Sequence, residues 1–256
     1  QIRVLIYHHV KKNQYNLFYK QLCLLKNEWN FITPKQFENH IKGTHVLKGK
    51  NTLLTFDDGF YSNFLVAENV LKKLNIKAIF FVPSEFVKIP IPTTARNFIL
   101  KNIMDQDLPS DFNFIKNMTH NNLKHLIKNG HEIGSHSKRH TNLGLTLNKA
   151  ILKDEIINSA KNLEKILKKK IIHFAFPYGN YNSMNNKSLK YASKQYDFVY
   201  SGLRGNNFKN HKKEIIKRDT VYLENGNKLL SIFLSGVTDI RYTFQILNIN
   251  KLIKKL

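Results

Sequence analysis

Short apolar runs alternate with helix-period stretches along almost the whole chain, and this alternation restricts the fold more than any other feature. Strand-length apolar runs lie at 4–7, 52–56, 77–82, 131–134, 171–176, 198–201 and 215–221. Between them, helical spacing predicts helices over 16–27, 63–74, 147–169, 189–194 and 228–234, and one that Thr119 caps and Gly130 stops. Near-continuous apolar strands separated by helices argue for a parallel sheet covered by helices. About seven such units fit a closed or partly closed α/β barrel better than a small open sheet. The 256 residues suit a single domain, 1–256. The stretch 89–114 breaks the pattern and reads as a rim insertion or long loop, and the basic, apolar tail at 244–256 as a surface helix or a frayed end.

Composition excludes several classes. A hydrophobic share of 42%, with Phe 18 and Tyr 11, rules out a disordered chain or a coiled coil. The lone cysteine, Cys23, rules out a disulfide framework and a thiolate metal cluster. No run approaches the ~18 apolar residues that span a bilayer. The chain opens on a strand without an initiator Met, so an upstream segment is expected to have been removed, and an exported location follows as an expectation. The formal net charge is +23. That excess suits a polyanionic partner, including peripheral contact with an anionic cell envelope. However, the lysines are diffuse and accompany abundant Asn and Ile, which reads first as compositional bias. No nucleic-acid-reading module is visible, and no nucleic acid partner is expected.

Polar clusters directly after apolar strands matter, because in parallel α/β folds the active site forms at the carboxyl ends of the strands. Thr55-Phe-Asp-Asp-Gly59 places two adjacent carboxylates there. They repel unless a cation neutralises them, and one can hold a metal while its neighbour serves as a base. The plain alternative is an Asp-Asp-Gly turn capping the next helix. In Gly134-Ser-His-Ser-Lys-Arg-His140, the four-residue spacing sets His136 and His140 on one face of a helical turn, within reach of one ion. Two exposed histidines in a basic loop are the alternative. Phe174-Ala-Phe-Pro-Tyr-Gly179 forms a tight loop able to aim a backbone N–H at an oxyanion, or simply a strand-ending turn. Together, one carboxylate and two imidazoles make a ligand set for Zn²⁺, Fe²⁺ or another first-row ion.

Taken in this order, TFDDG at 55–59, HSKRH at 136–140 and PYG at 177–179 resemble the first three motifs of the polysaccharide deacetylase family (NodB homology domain, carbohydrate esterase family 4). The resemblance covers about 4–221. It implies a distorted (β/α) barrel and a hydrolase of linear amide C–N bonds that removes N-acetyl groups from amino-sugar polymers. By position, Asp57 resembles the general base, and Asp58, His136 and His140 the ligands of a divalent metal, first Zn²⁺, with Fe, Co or Ni as alternatives. Tyr178, following Pro177, resembles the residue whose backbone N–H holds the oxyanion. The implied reaction is single-step metal-assisted hydrolysis, with Asp57 deprotonating the attacking water and an acid protonating the leaving amine.

Two departures narrow the resemblance. The family's third motif carries an Arg ahead of the Pro, whereas this chain reads HFAFPYG, and the last motif's His is missing from Ser231-Ile-Phe-Leu-Ser-Gly236. Both departures resemble the branch that deacetylates poly-β-1,6-N-acetylglucosamine. That branch opens on a strand like Leu5-Ile-Tyr-His-His-Val10, whose His after Tyr is held to supply the acid. His8 is therefore the candidate acid, ahead of His9, against the alternative of a satisfied core histidine. Arg218, which also follows a strand, is the candidate to replace the missing Arg. The same chemistry on peptidoglycan or a lipid-linked amino sugar is the second reading. A non-catalytic basic domain that binds polysaccharide is the third.

Overall fold

The computed structural model describes residues 1–90, 92–103, 116–208 and 215–254. Its strands are β1 (Ile2–Tyr7), β2 (Asn30–Phe31), β3 (Asn51–Phe56), β4 (Ala78–Val82), β5 (Glu132–Ser135), β6 (His173–Ala175), β7 (Phe198–Tyr200) and β8 (Asp219–Thr220). The main path runs β7-β6-β5-β4-β3-β1-β8, with the short β2 beside the start of β3, and every pairing is parallel. A parallel bridge between Tyr200 and Ile216 joins β7 to the segment entering β8. The two ends of the seven-strand path thus meet, and the sheet curls into the distorted (β/α) barrel.

Strands β1, β3 and β4 are buried at every position, as expected for strands covered on both faces. Their side chains alternate between two cores. Val4, Leu53, Ile79 and Phe81 join an inner cluster, while Leu5, Leu54 and Phe80 join an outer one under the helices. Helix Pro34–Lys42 adds Phe37 and Ile41 to the inner cluster and so plugs the barrel.

That plug helix and β2 were not foreseen, although the helix carries full punctuation. Thr33 caps it in a capping box with Gln36, Pro34 opens it, and Gly43 ends it in the left-handed region at φ 75°. Other differences are local. The stretch expected as one strand over 215–221 divides, because Ile216 pairs with β7 and Asp219–Thr220 with β1. Within 89–114 the chain forms helix Pro92–Asn102, and 104–114 lies outside the described residues. Over its described residues, to Lys254, the tail is a helix packed onto the core rather than a frayed end. Helix Thr243–Lys254 buries Ile249 and Ile253, and Asn250 Oδ1 accepts a hydrogen bond from the Ile215 N–H at 3.0 Å.

Candidate active site

Each cluster of interest emerges where a strand ends, and one further backbone bond fixes its first residue. Asp57 N–H donates to Tyr7 O at 3.0 Å, and His136 N–H to Val82 O at 3.0 Å. Phe176 N–H donates to Tyr200 O at 3.1 Å and Arg218 N–H to Leu203 O at 3.0 Å. Three strand ends, and Arg218, which enters β8 rather than following a strand as expected, are thus locked in register before their side chains enter one cavity of about 400 Å³.

Backbone strain concentrates here. Six described non-glycine residues have positive φ, and four belong to the site loops: Asp58 (73°), Ser137 (61°), His140 (62°) and Tyr178 (63°). Such conformations cost of order 1–3 kcal/mol each and persist only where surrounding structure enforces them. Ser137 and His140 also correct the expected helical turn at 136–140. Their left-handed backbone makes this stretch a tight turn, which still brings the two imidazoles to 5.0 Å between ring centroids. A π-helical turn, Lys153–Asn158, braces it from outside: Glu155 Oε2 accepts from the N–H groups of Lys138 and Arg139 at 3.0 and 2.9 Å.

Asp58, His136 and His140 each turn one ligand atom into a common space, with those atoms within 4.8 Å of one another. The Asp58 Oδ1 atom lies 3.6 Å from His136 Nε2 and 3.4 Å from His140 Nε2. The opposite ring nitrogens are already used. His136 Nδ1 bonds Ala175 O at 2.8 Å, and His140 Nδ1 bonds Asn102 O at 2.9 Å. A carbonyl oxygen only accepts, so both Nδ1 atoms carry the proton and both Nε2 atoms face Asp58. An Nε2 lone pair facing a carboxylate is repelled, so the space between them takes positive charge, a proton or a cation. The charge balance says the same. Although burial opposes both shifts, the His140 hydrogen bond and the nearby histidines hold Asp58 far below the ordinary carboxylate range, and Asp58 raises His140. Burial pushes His136 down to about 4, so it is neutral near pH 7. Once His140 gives up its Nε2 proton, two neutral imidazoles and one carboxylate, each ring oriented by a backbone carbonyl, fit a divalent cation. Neither carbonyl was legible in the sequence, since any residue supplies one. The Asn102 carbonyl comes from the helix within the stretch read as an insertion.

Beside this set, Asp57 lies with Oδ2 3.8 Å from His136 Nε2. The Arg218 guanidinium grips it at both ends, Nη1 to Oδ1 at 2.8 Å and Nη2 to Oδ2 at 2.9 Å. Arg218 is itself fixed by Nε donating to Ser201 O at 2.8 Å and Nη1 reaching Thr55 Oγ1 at 3.3 Å. Burial would raise Asp57, but Arg218, then His136 and His8, outweigh it and leave the carboxyl below its ordinary value. Asp57 is therefore ionised and its oxygens are held in place.

His8 lines the cavity, half-buried, near enough for its charge to lower both carboxylates. His9 also lines it, but its Nδ1 is engaged by Ser62 Oγ at 2.7 Å. Tyr178 is 47% exposed at the rim, its ring 5.0 Å from that of His140. Pro177 is buried behind it. The next residue, Gly179, is packed against Gly202, whose N–H donates to Gly179 O at 2.7 Å, and a Cβ at Gly179 would lie 2.5 Å from Gly202 N. All nine residues singled out in the sequence, His9 included, thus lie in or immediately behind one cleft.

The polysaccharide deacetylase family model matches residues 45–199, which carry the carboxylate, histidine and Pro-Tyr-Gly loops. YxkH of Bacillus subtilis (strain 168), a polysaccharide deacetylase by its given name, is 27% identical over 169 residues, 66% of this chain and 50% of its own. The chain thus spans about half the length of that curated relative. Among solved structures, IcaB from Ammonifex degensii superposes with a TM-score of 0.69 at 22% identity, over 91% of this chain and 96% of its own. The Streptococcus pyogenes deacetylase PplD, solved with acetate, gives 0.69 at 20% identity, over 91% and 97%. With the family model covering more than half of the sequence, the chain belongs to the polysaccharide deacetylase family.

Proposed function

We propose that this protein hydrolyses N-acetyl groups of an N-acetylhexosamine polymer, poly-N-acetylglucosamine first, with the help of a divalent metal, and releases acetate. The observation that carries this reading is the pairing of a three-residue ligand set with a separate, ionised carboxylate: Asp58, His136 and His140 converge, while Asp57 stands beside them on Arg218. In the reaction, water adds to the acetamide carbonyl, the C–N bond breaks, and the products are acetate and a free amine on the sugar.

Asp58, His136 and His140 would hold the metal, which when bound supplies Lewis-acid polarisation and favours deprotonation of water at neutral pH. Asp57 accepts the proton of the attacking water. Arg218 occupies one side of each Asp57 oxygen and keeps the carboxylate charged until that proton arrives. The Tyr178 N–H, in the strained Pro-Tyr-Gly turn, is assigned to the oxyanion. His8 is assigned to the leaving amine, which departs only if protonated. The exposed Tyr178 ring offers an apolar face for a sugar at the rim.

Poly-N-acetylglucosamine is placed ahead of peptidoglycan because the chain lacks an Arg before Pro177 and follows its opening strand with His8 and His9, both features of the resemblance to that branch. Such a substrate implies an exported location. The formal charge of +23 favours retention at an anionic envelope, probed by the salt dependence of binding. Comparing acetate release from poly-N-acetylglucosamine, peptidoglycan and chitooligomers tests the reading. Release from the first alone supports it, preference for another polymer reassigns the substrate, and release from none refutes the activity.

A further inference from the structure

The barrel interior holds a chain of polar groups that the reaction as described does not use. It starts at the plug helix, where Glu38 is only 4% exposed. Glu38 Oε1 lies 3.3 Å from Nε2 of His173 on β6, and His173 Nδ1 lies 3.0 Å from the hydroxyl of Tyr200 on β7. His173 and Tyr200 are fully buried. A carboxylate accepts, so the ring donates from Nε2 to Glu38 and its Nδ1 accepts the Tyr200 O–H. Above them the guanidinium carbon of Arg218 stands 5.9 Å from the Tyr200 ring and 5.0 Å from the Phe81 ring, and these two rings meet edge to face at 5.0 Å. The guanidinium that grips Asp57 is thus floored by two aromatic faces, one tethered through its hydroxyl.

Burying a carboxylate and an imidazole in the core costs free energy that an apolar core of the same shape would avoid. What the polar chain adds is fixed position, because a fully bonded buried network admits one arrangement. From this we infer that Tyr200 is a positioning residue for deacetylation: Glu38 and His173 hold its hydroxyl, its ring fixes the Arg218 guanidinium, and Arg218 in turn aims Asp57. The inference rests on the hydrolytic reading above, and it adds three buried residues of the barrel interior to the apparatus of the site.

The test is a double-mutant cycle on the full chain, loaded with Zn²⁺, at a temperature where every variant is folded. Tyr200→Phe keeps the ring and removes the tether, and is expected to lower kcat about tenfold with KM and Zn²⁺ affinity unchanged, since small displacements of a catalytic group carry losses of this order. Glu38→Leu, which removes the acceptor that holds His173, is expected to lower kcat in the same sense as Tyr200→Phe, with KM unchanged. In an Arg218→Lys background the effect of Tyr200→Phe should vanish, because the tether acts only through the guanidinium. Wild-type kcat in Tyr200→Phe, or an equal loss in both backgrounds, would overturn the inference. A second readout needs no substrate. The Arg218 Nε–H, bonded to Ser201 O, should be protected from hydrogen exchange in the wild type and lose protection in Tyr200→Phe, and unchanged protection counts against the tether. If the wild-type protein releases no acetate, the hydrolytic reading falls, and the exchange measurement still decides the positioning.

Discussion

Arg218 and Asp57 form a two-pronged buried ion pair, 2.8 and 2.9 Å across its two bonds, between residues 161 positions apart. Removing one partner leaves the other charge stranded in the barrel. Arg218→Ala should therefore cost about 3–5 kcal/mol of stability as well as most of the activity. Arg218→Lys should recover part of the stability but little activity, because an ammonium cannot reproduce the planar fork. Denaturant melts beside acetate-release rates check both. A stable and active Arg218→Ala would remove Arg218 from the site.

The two adjacent histidines should separate cleanly. His8 faces the cavity, whereas the His9 ring is tied to Ser62. His8→Ala is expected to lower kcat by ~10²–10⁴, the usual contribution of a positioned acid, while His9→Ala stays within about tenfold of wild type. Rates on a substrate with a good leaving group sharpen the comparison. The His8→Ala defect should shrink there, because such a group departs without a proton.

Gly179 allows no side chain. Its φ is 63°, and a Cβ would stand 2.5 Å from the Gly202 nitrogen and 2.9 Å from its Cα, both backbone atoms that cannot swing aside. Gly179→Ala should displace the Pro-Tyr-Gly loop, lowering kcat at least tenfold while Zn²⁺ binding survives, since none of the three ligand side chains lies on that loop. Parallel metal titration and kinetics on the variant check this.

A second histidine sets an acid limit on stability. His131 is buried, its Nδ1 accepting the Ala78 N–H at 3.1 Å, and burial pushes it down to about 4. Below the ordinary value near 6.5 the unfolded chain binds a proton that the folded chain refuses. Its contribution is complete above about pH 6.5 and is lost as pH falls toward about 4, by up to ~3 kcal/mol. His131→Asn keeps an acceptor for Ala78, and should flatten stability against pH across this window relative to wild type. Identical pH slopes would show that His131 is not the group responsible.

What the sequence revealed follows from which interactions are local. The strand runs at 52–56 and 77–82 announced themselves because burial on both faces demands unbroken apolar residues, as β3 and β4 show. Asp57, Asp58, His136 and His140 were legible because their side-chain chemistry is rare at a strand end. Contacts made through the backbone were not: the carbonyls of Ala175 and Asn102 that orient the histidines leave no trace in residue type. The polar chain from Glu38 to Tyr200 was equally hidden, since it joins residues 135 and 27 positions apart that only barrel closure brings together. The plug helix is a different case, because Thr33, Pro34 and Gly43 spelled out both its ends. The turn at 136–140 shows the limit of spacing arguments. A four-residue interval predicts proximity on a helix, yet here left-handed backbone at Ser137 and His140 brings the rings together.

The proposed hydrolysis needs one cation gripped by Asp58, His136 and His140, and equilibrium dialysis against Zn²⁺ followed by elemental analysis measures it directly. The wild-type protein is expected to retain one ion per chain, Asp58→Ala, His136→Ala and His140→Ala to lose it, and Asp57→Asn to keep it while releasing no acetate. Equal metal content in the wild type and all three ligand variants, or full activity in Asp57→Asn, would contradict it.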